Sequence, residues 1–445
     1  MHNVLTRIKA RPQVYPSIEL SYSPVEPVLS PVILNLPANG IRLRFDGPDQ
    51  RLRLIEVLDF SKTPLTYKGS DLVRRGRSSD HEVESRSGPL FRHVYNRLFG
   101  PAHAGEYIPP DSATHGSYML SYPGLAFCFP LLHSSWSERA DFVSLLASSA
   151  SSPATSMAIF QGASWAEART TLFTKPPQYP RATPVGKKDI PDEIEEVVIW
   201  GQGQLEFVRR SLPAYLLVLG ETTPQDLVAE FGPPDAIYRK NDTRIMIHGT
   251  DARLEGSLDR ASESDISNSD SETELPTDKP LVNTECFYNY FHHGFDAFVS
   301  LPSTPSPPFP GDPARQIAPC SELRVTKILL HGNIPGSYPF NRHRRSRWAI
   351  HELVHSEMPF ATISQTLKPV WRGTYNSAEE ERSMQRGMVL NRGWGESPES
   401  SVEIVGGLEG LDQSAHALGN TELFGFPGLL FEILKNGAVS CLTVY

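Results

Sequence analysis

The chain has 445 residues, a hydrophobic share of 39 % and a formal net charge of −9. That length admits several domains or one long repeat array, and the apolar content is enough to fill real cores. The acidic balance argues against broad, sequence-independent binding to nucleic acid, which needs a basic face to neutralise phosphates. None of the four cysteines, Cys128, Cys286, Cys320 and Cys441, stands in a CxxC pair, so no structural zinc knuckle is indicated and a reducing compartment fits best. No stretch reaches the ~18 apolar residues of a membrane helix, and the N-terminus lacks a signal-peptide apolar region. A soluble, intracellular protein is expected.

In chain order, the first clear elements are strands. Val32–Leu36 and Ile41–Phe45 flank Pro37-Ala38-Asn39-Gly40, where Asn39-Gly40 is a strong hairpin signal. A third strand lies within Arg51–Asp59, marked by Leu52, Leu54 and Val57, and completes an antiparallel meander. Arg42, Arg44, Arg51 and Arg53 alternate with its apolar positions. They most simply form the solvated face of the sheet, with a phosphate-binding face as the alternative. Gly69–Ser87 is polar and loop-like, and Leu90–Phe99 reads as a short helix stopped by Gly100-Pro101. A second hairpin turns at Gly124, Ala147–Pro153 is a Ser/Ala linker, and Ile194–Trp200 and Tyr215–Leu219 read as strands. The best helix start is Thr223: it caps, Pro224 takes the first helical position, and Asp226 favours the positive end of the dipole. Leu227, Val228 and Phe231 supply the buried face of that helix, and Gly232-Pro233-Pro234 ends it.

Asp251–Lys279 is rich in Ser, Asp and Glu, lacks apolar periodicity and is expected to be disordered. It reads either as a tolerated loop insertion or as a regulatory loop phosphorylated at Ser262, Ser264 or Ser269, which acidic residues surround. Ser303–Pro313 is a Pro-rich loop, and Thr374–Asn420 is a long irregular region.

One phrase occurs four times, at 34–45, 120–129, 290–299 and 426–434: a short strand, a turn at glycine, and an alternating apolar strand. Helix-like runs ending in Phe99-Gly100-Pro101 and Phe231-Gly232-Pro233 precede two of the copies. The expected fold is α+β, with four repeated units of a short helix packed on an antiparallel meander. The units are 1–68, 88–222 with extra strands, 223–340 with the insert 251–279, and 341–445 with the insert 374–420. The expected core is Leu34, Ile41, Leu43, Phe45, Leu125, Phe127, Phe129, Phe295, Phe298, Ile328, Leu330, Leu429, Phe431 and Ile433.

The one literal catalytic motif is His351-Glu352-Leu353-Val354-His355. On a helix, its histidines would face one zinc ion and the glutamate would activate water, as in a zinc-dependent hydrolase. The context is poor: Ser356-Glu357 replaces an apolar continuation, and Arg342–Arg347 would place positive charge beside the cation. The plainer reading is a surface segment. The dense basic run Arg342-His343-Arg344-Arg345-Ser346-Arg347 reads equally as a solvated loop or as a contact for an acidic partner or anionic headgroups, each basic residue adding about 1 kcal/mol there. With the loop that precedes it, it makes a candidate binding patch of His331, Asn333, Pro335, Gly336, Arg342, Arg344, Arg345 and Arg347. His292-His293 reads as a hairpin feature, and Trp200-Gly201-Gln202-Gly203 lacks the Lys-Ser/Thr of a phosphate loop. No cofactor is implied.

Several blocks carry a family resemblance. They are Val32–Leu36 with Gly40–Asp46 and Gln50–Val57, then Pro224–Pro234, Phe287–Phe291, Lys327–Gly336, and Leu429–Glu432 with Ser440–Tyr445. In this order, over nearly the whole chain, they resemble the phagosome assembly factor family, whose opening segment is longer than the one here. The resemblance implies a non-enzymatic autophagy factor without catalytic residues. It implies a β-propeller partner of the breast-carcinoma-amplified-sequence type and a cytoplasmic protein recruited to the preautophagosomal structure. The alternatives are the zinc-dependent hydrolase above, or a direct phosphoinositide-binding module using the basic patch.

Overall fold

The computed structural model describes residues 1–73, 88–111, 114–175, 192–239, 285–301, 322–391 and 420–445. The tract 251–279 with Ser262, Ser264 and Ser269, the loop 303–313 and residues 392–419 lie outside them. The part of 374–420 that is described is not irregular: it forms the helix Ala378–Met384 and the strand Met388–Asn391. The described chain is mostly β, with few short helices.

Two eight-stranded antiparallel sheets dominate. In spatial order the first holds Glu19–Ser21, Val32–Leu36, Ile41–Phe45, Leu52–Val57, Ser156–Phe160, Leu125–Leu132, His115–Tyr122 and Glu106–Ile108. The second holds Ala236–Arg239, Cys286–Tyr290, Phe295–Ser300, Arg324–His331, Val439–Val444, Leu429–Ile433, Asn420–Phe426 and Met388–Asn391. In each, four strands run as a meander and four more run back, so that the fourth and last strands meet in the middle. The irregularities agree too. The register slips past Arg53 after Arg44 pairs with Leu54, and past Thr326 after Phe298 pairs with Lys327. The two sheets are structural repeats of one another.

The four copies of the sequence phrase are the second and third strands of each four-strand run, with the turn between them. Their turn glycines Gly40, Gly124, Gly294 and Gly428 all have positive φ, from 64° to 88°. At Gly294 a second constraint applies: a Cβ would come within 2.5 Å of the Arg344 carbonyl oxygen.

Each run is preceded by a helix on the inner face of its sheet. His2–Lys9 sets Leu5 and Ile8 on Leu34, Leu36 and Leu43. The short turn of helix Phe91–His93, widening over Val94–Leu98, sets Phe91 and Val94 on Leu120 and Phe127. Pro224–Phe231 and Phe360–Trp371 bring Leu227, Phe231, Ile363 and Leu367 to Phe295, Leu330 and Leu442. The helix start at Thr223 is a full capping box: Thr223 Oγ1 accepts from the Asp226 amide at 3.1 Å, and the Asp226 carboxylate accepts from the Thr223 amide at 2.9 Å.

A third sheet of five strands orders Tyr215–Val218, Gln204–Arg209, Ile194–Gly201, Trp348–Ile350 and Val354–His355, with Ile194–Gly201 parallel to Trp348–Ile350. Its Val197, Leu205, Phe207 and Trp348 share one core with the second large sheet. Strands 194–218, expected with the second unit, therefore pack with the second half of the chain.

On the outer face of the first sheet, Leu54, Ala126, Ala158 and Phe160 are covered by the helix Trp165–Thr171 through Ala168 and Leu172. Arg53, expected on a solvated face, is instead buried there. Its Nε donates to the Leu172 carbonyl at 2.6 Å and its guanidinium also reaches the Lys175 carbonyl, satisfying groups that end the helix. Of the expected core, Leu34, Leu43, Phe45, Phe127, Phe129, Phe295, Ile328, Leu330, Leu429, Phe431 and Ile433 are buried, while Ile41 and Leu125 are half-buried against it. Phe298 is the exception: it pairs with exposed Lys327 on the outer face of the second sheet.

Candidate functional site

The structure brings the eight patch residues into one region, which is the joint between the two halves. Arg345 lies at its centre with its side chain 1 % exposed. Its Nε donates to the Pro48 carbonyl at 2.6 Å, one Nη to the Gly332 carbonyl at 2.7 Å, and Glu357 lies 3.8 Å away. Burial pushes this guanidinium down to about 10. Arg347 bridges Glu357 at 2.8 Å and Asp49 at 3.1 Å. Burial alone would raise the Glu357 carboxyl, but Arg347 and Arg345 hold it below the usual range. Arg344 meets Glu193 at 3.0 Å, and Arg51 meets the same carboxylate at 2.8 Å, with Arg210 beside them. Arg342 is exposed, its guanidinium 6.0 Å from the Phe291 ring. The run thus alternates between acids drawn from both halves and backbone carbonyls of the joint.

The preceding loop does the same work with neutral groups. Asn333 and Gln50 form a buried reciprocal pair: the Gln50 amide donates to the Asn333 carbonyl, and the Asn333 amide to the Gln50 side-chain oxygen, each at 2.7 Å. The Asn333 side-chain oxygen accepts from the Asn341 amide at 2.7 Å. Ile334 packs with Val28, Leu434 and Ala438, and Pro335 and Gly336 are buried in the turn that follows.

His331 and His343 stack with centroids 3.7 Å apart, and each gives an Nε2–H to one oxygen of the Asp296 carboxylate at 2.8 Å. Burial opposes charge on His331, but Cys441 and Asp296 more than offset it and raise its pKa to about 10. Burial lowers the pKa of His343, and the nearby His331 lowers it further against the pull of Asp296. One imidazolium therefore serves one carboxylate, with a neutral imidazole alongside. Asp296, His331 and His343 are also the one group among the described residues whose ligand atoms lie close enough, within 4.8 Å, to surround a cation.

The motif His351–His355 is not on a helix. His351 and Glu352, at φ 47° and 58°, form the turn of a tight hairpin in which Ile350 pairs with Val354. His351 stands edge-on to Trp200 at 6.0 Å, while His355 Nδ1 lies 2.7 Å from Glu357. The i, i+4 geometry that the zinc reading required is not formed. His351 does line a cavity of about 300 Å³ with Trp371, Gly203 and Leu429. A larger cleft of about 580 Å³ lies beside the helix Trp165–Thr171. The Asp296 cluster was missed from sequence, since only the pairing of three strands sets residues 296, 331 and 441 side by side.

Among the described residues no helix is long and apolar enough to cross a membrane. The phagosome assembly factor 1 family matches residues 1–265 and 269–445. A PHAF1 protein of Arabidopsis thaliana is 24 % identical over 448 residues, covering 99 % of this chain and 87 % of the relative. PHAF1 proteins of Drosophila melanogaster and Caenorhabditis elegans are 23 % and 24 % identical, covering 98 % and 100 % of this chain and 87 % and 89 % of theirs. No solved structure matches. With both sheets and the joint between them inside the matched range, the chain belongs to the phagosome assembly factor 1 family.

Proposed function

We propose that the chain is a non-catalytic adaptor in phagosome assembly. It binds a β-propeller protein of the breast-carcinoma-amplified-sequence type, and through that partner the cytoplasmic protein is recruited to the preautophagosomal structure. The observation that carries this reading is the family match along almost the entire chain. Two placements support it. The basic run sits in an internal joint, with Arg345 buried and Arg344 and Arg347 ion-paired, and the histidine motif forms a hairpin turn.

The test uses the purified full chain, the propeller partner and phosphoinositide-containing vesicles. The chain is expected to co-elute with the partner in gel filtration, and to float with vesicles only when the partner is present. Absence of a complex sinks the adaptor reading. Flotation of the chain alone replaces it with direct lipid binding.

A further inference from the structure

We propose that the joint is acid-operated: protons taken up by His2 of the first half and His293 of the second release the segment Asn341–Ser346, which carries the joint's arginines.

His2, His292, His293, His331 and His343 gather on one side of the joint. His2 stands edge-on to His292 with centroids 5.7 Å apart, and His331 stacks on His343. The contact of His2 with His292 crosses between the halves. So do two polar contacts: His2 donates through Nδ1 to the Asn341 carbonyl at 3.0 Å, and His292 Nδ1 lies 3.1 Å from the Asn3 side-chain oxygen.

The segment that begins at Asn341 is held by three amides. Asn341 donates to the Asn333 side-chain oxygen at 2.7 Å, Arg344 to the Phe291 carbonyl at 2.8 Å and Ser346 to the His331 carbonyl at 2.8 Å. The close approach of Gly294 to the Arg344 carbonyl sets the turn that contains His293 against the same segment. One end of the segment therefore meets His2 of the first half, and its middle meets the His293 turn of the second.

Neither imidazole has room for a charge. His2 is buried. Burial, then His292, the Met1 amine and His343, hold its pKa down to about 4 against the pull of the Asn341 carbonyl. His293 is buried against Phe231, Tyr290 and Phe295, and its Nε2 has no hydrogen-bond partner among the described residues. Burial lowers its pKa, and Arg344 and His292 lower it further, while the Phe231 carbonyl and Asp235 oppose them. A group depressed in the closed joint favours closure fully above its ordinary pKa of 6.5 and progressively less as pH falls towards its value in the joint. At pH 5 this lowers the ratio of closed to open joints by about thirtyfold for His2 alone. His331, already charged beside Asp296, takes up nothing more in this range.

The test is hydrogen exchange on the full chain at pH 7 and pH 5, corrected for the intrinsic rate, in wild type and in the double variant His2→Gln, His293→Gln. The Met1 amine and His343 are common to both chains, so the difference between them belongs to the two substituted histidines. Protection at the amides of Asn341, Arg344 and Ser346 is expected to fall from pH 7 to pH 5, and by at least about tenfold more in wild type than in the variant, while strand amides of the two large sheets stay protected. No fall in wild type, or equal falls in both chains, overturns the proposal. A fall shared by the strands of both sheets also overturns it, since the whole chain is then unfolding. If near-ultraviolet circular dichroism shows the double variant misfolded at pH 7, His2→Gln alone takes its place. A smaller fall than in wild type then supports the proposal and an equal fall overturns it.

Discussion

At the scale of single residues, the joint is governed by desolvation. Removing Arg345 leaves the carbonyls of Pro48 and Gly332 without that donor in a dry site. Arg345→Ala is expected to cost about 3 kcal/mol in urea unfolding. Arg342→Ala, at the exposed member of the same run, should stay within about 0.5 kcal/mol. Two equal losses would show that the run is not internal. The histidine pair predicts a pH dependence. The pKa of His331 is raised from its ordinary 6.5 to about 10, so its contribution is fully present below 6.5 and is lost as pH rises towards 10. Melting temperature should therefore fall between pH 7 and 10 more steeply in wild type than in His331→Gln, and parallel slopes would contradict the assignment. The sequence left this run open between a solvated loop and a contact for acidic groups because two of the acids it meets, Asp49 and Glu193, lie far from it in the chain.

At the scale of elements, local chemistry was legible wherever it decided the outcome. Asn39-Gly40 announced its hairpin and Thr223 with Asp226 announced its helix, because turn and cap energetics act over a few residues. Phe298 was misplaced for a different reason. Alternation tells which residues share a face and is silent on which face is covered. For the histidine motif, the zinc alternative needed a helix, and tertiary pairing gives another local structure: the ladder between Ile350 and Val354 holds 351–353 in a tight turn. That turn holds two non-glycine residues at positive φ, a conformation that costs roughly 1–2 kcal/mol per residue. Glu352→Gly should accordingly stabilise the chain by about 0.5–1 kcal/mol, the gain being reduced by added freedom in the unfolded state. A lower melting temperature would mean that the Glu352 side chain has an unrecognised role. Replacing His355 with Ala is expected to leave the zinc content of the purified chain unchanged.

At the scale of the whole molecule, the two halves are held by the Gln50–Asn333 pair, by Arg345 on Pro48, by the acids around Arg344 and Arg347, and by the apolar contact of Val28 with Ile334 and Leu434. These contacts do not depend on the chain link. Fragments 1–175 and 192–445, produced separately and mixed, should co-elute in gel filtration, and separation at low micromolar concentration would show that the joint is weak. The repeat itself was visible in sequence as four phrases at equivalent hairpins. That they belong to two sheets of identical order was not, because the phrases do not encode which strands meet at the centre.

That central meeting has a consequence for synthesis. The strand Val439–Val444 lies between Arg324–His331 and Leu429–Ile433, in the middle of its sheet. A ribosome delivers the chain amino end first, at about 5–20 residues per second. The first sheet can close once Phe160 has emerged, but the second keeps an open slot until Val444 has emerged. During that interval two inner strand edges expose unpaired amides, the template on which stray strands add. Closure of the second sheet thus waits on the strand Val439–Val444, and loss of 438–445 would delete the centre of a sheet. Pulsed proteolysis of stalled nascent chains should find the first sheet resistant once Phe160 has cleared the ribosome and the second resistant only in chains long enough for Val444 to have cleared it.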